Sequence, residues 1–86
     1  MKYEVLLSAK AKRDLRKIYI TPYKDSIKTA LESMTVDHVF GDIKPLINFP
    51  HAKFRRRVGI YRILFNVDYG EKLVKIYRII QRKDAY

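Results

Sequence analysis

The sequence predicts an α+β fold in which a strand and two helices precede three strands, giving an antiparallel sheet with a two-helix hairpin packed on one face. Three observations carry this. Alternation near the N-terminus gives way at Ser8 to helical spacing. A second helix start signal stands at Thr21-Pro22. From Phe54 to Gln81, apolar residues alternate across two turn signals. Consecutive strands joined by short turns form an antiparallel meander, and helices cover one of its faces.

Each element has its own signals. Lys2–Leu7 sets Tyr3, Val5 and Leu7 against Lys2 and Glu4, a strand period. Ser8 stands where an N-cap is needed, and Ala11, Leu15 and Ile18 then form the apolar stripe of a short basic helix. Thr21-Pro22 predicts a hydroxyl cap with proline in the first turn of a second helix. That helix buries Ile27, Ala30, Leu31 and Met34. Residues 35–52 read as irregular, punctuated by Gly41, Pro45 and Pro50. Phe40, Ile43, Leu46, Ile47 and Phe49 are expected to cover the core from this loop. Phe54–Val58 then leads through Gly59-Ile60 into Tyr61–Asp68. Asp68-Tyr69-Gly70-Glu71 is a turn signal, and Lys72–Gln81 is the last strand. There Val74, Ile76 and Ile80 are expected to oppose Leu73, Tyr77 and Ile79.

The 86 residues make a single domain, 1–86, and the 48% hydrophobic fraction supports a folded core. The 19 Lys+Arg against 9 Asp+Glu leave a net charge of +10, which favours a polyanionic partner. Cysteine is absent, which excludes disulfides, thiolate metal sites and cysteine nucleophiles. His38 and His51 lack metal-ligand company, so no metal or other cofactor is expected. No apolar run approaches the roughly 20 residues of a membrane span, and no signal peptide is evident. No membrane partner is expected, and cytoplasmic localisation follows by default.

Charge is most concentrated at Lys53–Arg62, KFRRRVGIYR, inside the first hairpin. Strand alternation divides its arginines. Arg55 and Arg57 are two apart and project from one face, and Arg62 opens the next strand where it can join them. Arg56 falls with Phe54 and Val58 on the apolar face. The expected role of Arg56 is structural, its stem packed and its head reaching the edge. Tyr61 reads as a hairpin core residue, with RNA base stacking as the alternative. The Lys10, Lys12, Arg13, Arg16 and Lys17 face of the first helix is either simply solvated or a phosphate-contacting surface.

The chain resembles the RelE/ParE superfamily of prokaryotic toxins. FRRRVGIYRILF at Phe54–Phe65 carries the resemblance, with QRKDAY at Gln81–Tyr86 and KPLINFP at Lys44–Pro50. The resemblance implies the toxin of a type II toxin–antitoxin system. RelE-type members are mRNA interferases that enter the ribosomal A site, cut the bound mRNA and so inhibit translation. ParE-type members share the fold and poison DNA gyrase. Both are held inactive by an antitoxin, here expected to be acidic and RelB-like. Toxin–antitoxin heterotetramers are the common assembly by analogy. The leading expectation is a ribosome-dependent endoribonuclease. The alternatives are a ParE-like gyrase inhibitor or a catalytically weak RNA- or antitoxin-binding homologue.

Carried over from the family, Arg55 and Arg57 match paired basic positions, Arg62 the hairpin arginine, Arg82 the tail arginine and Tyr86 the tail tyrosine. Metal-independent cleavage requires deprotonation of the 2′-hydroxyl, stabilisation of the phosphorane-like charge and support of the leaving oxygen. Arginine suits the second task and cannot act as the base. Tyr86 is therefore the expected proton acceptor, with the arginines as catalytic anion binders. Gln81 stands where relatives often carry histidine and cannot transfer protons. Lys53, Tyr61, Gln81 and the five cations of the first helix complete the expected RNA-binding set.

Overall fold

The computed structural model describes residues 2–36 and 42–83. Its elements are β1 (Glu4–Leu7), α1 (Ala9–Ile18), α2 (Lys24–Ser33), β2 (Asp42–Pro45), β3 (Phe54–Val58), β4 (Tyr61–Asp68) and β5 (Leu73–Gln81). The strands form one sheet in the order β1-β5-β4-β3-β2. β2 to β5 pair antiparallel, as the meander predicts, while β1 lies parallel to β5 and makes the sheet mixed.

α1 begins where the sequence indicates. The Ser8 hydroxyl accepts from Ala11 N at 3.0 Å and donates to the Tyr77 carbonyl at 2.6 Å, so the cap also fastens the helix to β5. The start of α2 differs from expectation. Thr21 Oγ1 donates to the Ile18 carbonyl at 2.7 Å and accepts from Tyr23 N at 3.2 Å. It thus closes α1 and shapes the connecting turn, and α2 begins at Lys24, beyond Pro22. The inner faces hold as read: Ala11, Ile18, Ile27, Ala30, Leu31 and Met34 are buried against Ile63, Phe65, Val74 and Ile76.

Three expectations are corrected. The segment read as irregular contains β2, an edge strand pairing Asp42–Pro45 with Phe54–Arg57. Pro45 hid it, yet a proline without an N–H is tolerated on an edge strand. Among the loop residues expected over the core, Ile43 packs against it but Ile47 is 84% exposed. Phe40 and His38 lie outside the described residues. In β5 the register slips: Leu64 faces Arg78 while Phe65 faces Ile76, leaving Tyr77 as the extra residue of a bulge. A bulge reverses the alternation beyond it. Ile79 therefore joins Val74 and Ile76 in the core, and Ile80 falls on the opposite face, the reverse of the expected grouping.

Candidate functional site

The helices cover one face of the sheet; on the other, Leu64 is 1% exposed and Arg55, Arg57 and Arg62 are half-buried. The β3–β4 register sets Arg57 directly opposite Arg62 and Arg55 opposite Leu64. On the other side of β3, Lys44 of β2 lies opposite Arg55. Residues directly opposite across an antiparallel pair share a face. Arg55, Arg57, Arg62 and Lys44 thus share one face across three strands, with Asp42 opposite Arg57 in the β2–β3 register. Lys44 was missed because a strand was not expected there. Like charges facing one another weaken a sheet, and Arg57–Arg62 and Lys44–Arg55 are two such pairs.

Arg56 points the other way and is 9% exposed. Its Nη1 donates to the Ala30 carbonyl at 3.1 Å and to Ser33 Oγ at 2.7 Å. Ser33 Oγ in turn donates to the Ala30 carbonyl at 2.7 Å. The guanidinium therefore sits at the C-terminal end of α2, where the helix dipole favours a cation, and shares the Ala30 carbonyl with Met34 N. The structural role holds, but the head is buried at a helix end rather than led out to water.

Arg62, Gln81 and Arg82 line a shallow groove together with Ile60. Arg82 N donates to the Ile60 carbonyl at 2.8 Å, which ties the start of the tail to the β3–β4 turn. The hairpin arginine and the tail arginine are thereby brought together. Tyr86 lies outside the described residues. Tyr61 is 5% exposed and meets Tyr23 edge-on at 5.6 Å. Its ring belongs to the core, which overturns its alternative as a base-stacking platform. Lys53 is exposed, as are Lys10, Lys12, Arg13, Arg16 and Lys17 along α1.

α1 is held against β5 by a group that sequence reading did not single out. β1 pairs only with Leu73–Ile76, so beyond Ile76 the β5 edge has no strand beside it. Asp14 takes that place: its Oδ2 accepts from Ile79 N at 3.0 Å and from Arg78 Nε at 2.7 Å, and its Oδ1 from Arg78 Nη2 at 3.1 Å. Hydrogen bonding to Asp14, partly opposed by burial, raises the Arg78 guanidinium above the ordinary arginine range. The signal was present, since Asp14 is an acid on the Ala11/Leu15/Ile18 stripe of an otherwise basic helix.

A second cluster also escaped the sequence. The loop entering β3 and the bulge of β5 bring Phe49, His51 and Tyr77 together, with the His51 and Tyr77 rings stacked at 5.1 Å and 16°. Lys10 Nζ stands over the Tyr77 ring, 5.8 Å from its centroid. Among the described residues, no group of three or more His, Cys, Asp and Glu is placed to hold a metal ion, and no helix is long and apolar enough to cross a membrane.

Residues 5–86 match the family model for the ParE toxin of the type II toxin–antitoxin system parDE. No curated protein matches the chain. The fold is similar to that in the RelBE2 toxin–antitoxin complex from Mycobacterium tuberculosis, with 26% identity, 95% of this chain and 100% of that one covered, and a TM-score of 0.79. It is likewise similar to the archaeal RelE–RelB complex from Pyrococcus horikoshii OT3, with 20% identity, coverage of 99% and 100%, and a TM-score of 0.80. A chromosomal ParDE system from P. aeruginosa matches at 19% identity, with coverage of 93% and 96% and a TM-score of 0.67.

Proposed function

The chain belongs to the ParE toxin family of type II toxin–antitoxin systems, within the RelE/ParE superfamily, and from that premise we propose that it acts as a RelE-type, ribosome-dependent mRNA endoribonuclease. The observation that carries the reading is the convergence of Arg55, Arg57 and Arg62 on the sheet face away from the helices, with Arg82 beside Arg62. Forked donors on a rigid sheet suit the equatorial oxygens of a phosphorane-like transition state, where the charge on phosphorus-bound oxygen is greatest.

In this reading Arg55, Arg57 and Arg62 hold the scissile phosphate, and Arg82 supports the oxygen that leaves. Tyr86 accepts the 2′-hydroxyl proton as its phenolate, a form that cations favour, because arginine stays protonated throughout. Gln81 orients the strand without moving a proton. Lys53 and the basic face of α1 meet more distant phosphates on the mRNA or the ribosome, a contribution that weakens with salt. The cognate antitoxin is an acidic, RelB-like chain, as the RelB partner in the archaeal complex suggests by analogy, and a toxin–antitoxin heterotetramer is the assembly it would form. The toxin then works in the cytoplasm.

Primer extension on ribosomes programmed with a defined A-site codon tests this. Cuts at the codon that disappear with Arg62→Ala support it. The match to the ParE family favours a second reading, gyrase inhibition. Absence of cuts together with accumulation of gyrase–DNA cleavage complexes would establish that reading instead.

A further inference from the structure

We propose that the His51 imidazole is a stacking platform for an unpaired base of the RNA strand held by the arginine face. The inference rests on the RNA-directed reading of that face and adds a base-binding subsite to it.

The ring geometry comes first. His51 is exposed and lies nearly parallel to Tyr77 at 5.1 Å. Phe49 is almost equidistant from the two rings, 5.7 Å from His51 and 5.9 Å from Tyr77. A ring capping the outer face of His51 would lie much farther from Tyr77 than from His51. Phe49 therefore stands beside the pair, and among the described residues no ring covers the outer imidazole face.

The platform is also held in place. Asn66 Nδ2 donates to the His51 carbonyl at 3.0 Å, and Asn66 Oδ1 accepts from Lys53 N at 2.8 Å. One β4 side chain thus clamps the backbone on both sides of Ala52, which is itself buried. Tyr77 is fixed through its carbonyl by Ser8. Preorganised rings lose little freedom when a base stacks on them.

Its position relates it to the phosphate site. Arg62, Leu64 and Asn66 alternate onto one face of β4. Four residue steps along the strand carry Arg62 to Asn66, about 13 Å. A strand whose phosphate lies on the arginines can therefore reach His51 with a neighbouring nucleotide. A planar base matches an exposed ring, and stacking accepts any base, as recognition of single strands requires.

A fluorescence titration with a short single-stranded oligoribonucleotide carrying 2-aminopurine tests the platform. Wild-type protein quenches the probe on binding. His51→Ala weakens binding about tenfold and removes the quenching, the scale of one lost base–aromatic stack. His51→Phe restores both, because it keeps a ring and the Asn66 clamp holds only main-chain atoms. Wild-type binding and quenching in His51→Ala would overturn the proposal, as would failure of His51→Phe to rescue. The ribosomal cleavage assay run beside it separates the two readings. An effect of His51 on RNA binding without cleavage by wild-type protein keeps the platform and sinks the endonuclease. Cleavage with no effect of His51 on probe binding does the reverse.

Discussion

Arg57 and Arg62 face each other directly across the β3–β4 ladder, two cations on one rung of a sheet whose opposite face is buried. Like charges so placed cost stability, and the core beneath them offsets that cost. Ile63 and Phe65, the β4 residues of the covered face, are 0% and 1% exposed. The arginine face is therefore mounted on fully buried core residues.

Replacing one member of that rung should separate function from stability. Arg57→Gln is expected to change stability by no more than about 1 kcal/mol, because it relieves the facing with Arg62 and gives up the facing with Asp42. Cleavage should fall by about 10²–10³-fold, the scale of removing one preorganised donor from a developing anion. Urea denaturation and single-turnover cleavage of ribosome-bound mRNA measure the two effects.

Arg56→Leu should show the opposite pattern. It removes two donors from the end of α2 and is expected to cost about 1–3 kcal/mol. Cleavage per folded molecule should stay near wild type, because the guanidinium lies on the covered face. Loss of activity without loss of stability would show that Arg56 has a part in the site.

Asp14→Asn tests the join between α1 and β5. Its carboxylate serves both the Ile79 N–H and the Arg78 guanidinium. The expected loss is about 2 kcal/mol, below that of a fully buried pair because the Arg78 side chain is 36% exposed. The raised Arg78 value gives the pH sense: its contribution is fully present below the ordinary arginine range and is lost only as pH climbs through the raised value. Between neutral pH and pH 9, stability should therefore show no step that Asp14→Asn abolishes and that is owed to Arg78.

Gly59→Ala tests the hairpin turn. Gly59 has φ +57°, and an added Cβ would meet only the Tyr23 ring at 3.9 Å. Space is adequate, so the expected cost of about 1–2 kcal/mol is the left-handed backbone strain alone. Gly59→Asn should recover much of it, as judged by thermal denaturation.

The sequence alone determined the two helices, the three-strand meander and the division of the arginines. Periods of 3.6 and 2 are local properties, and β3 and β4 run over the residues that alternation indicated. From that period alone Arg55 and Arg57 separate from Arg56. Other features belong to tertiary structure because they depend on what a segment packs against. β2 is a strand only because β3 supplies its partner, and Pro45 is tolerated only because β2 is an edge. β1 runs parallel to β5 through contacts between the two ends of the chain. The bulge at Tyr77 moved Ile79 into the core and turned Tyr77 toward His51, which no period in β5 announces. A basic hairpin was legible from residue order. The buried cap at Arg56, the Asp14 clamp and the aromatic stack were not, because each joins groups that only folding brings together.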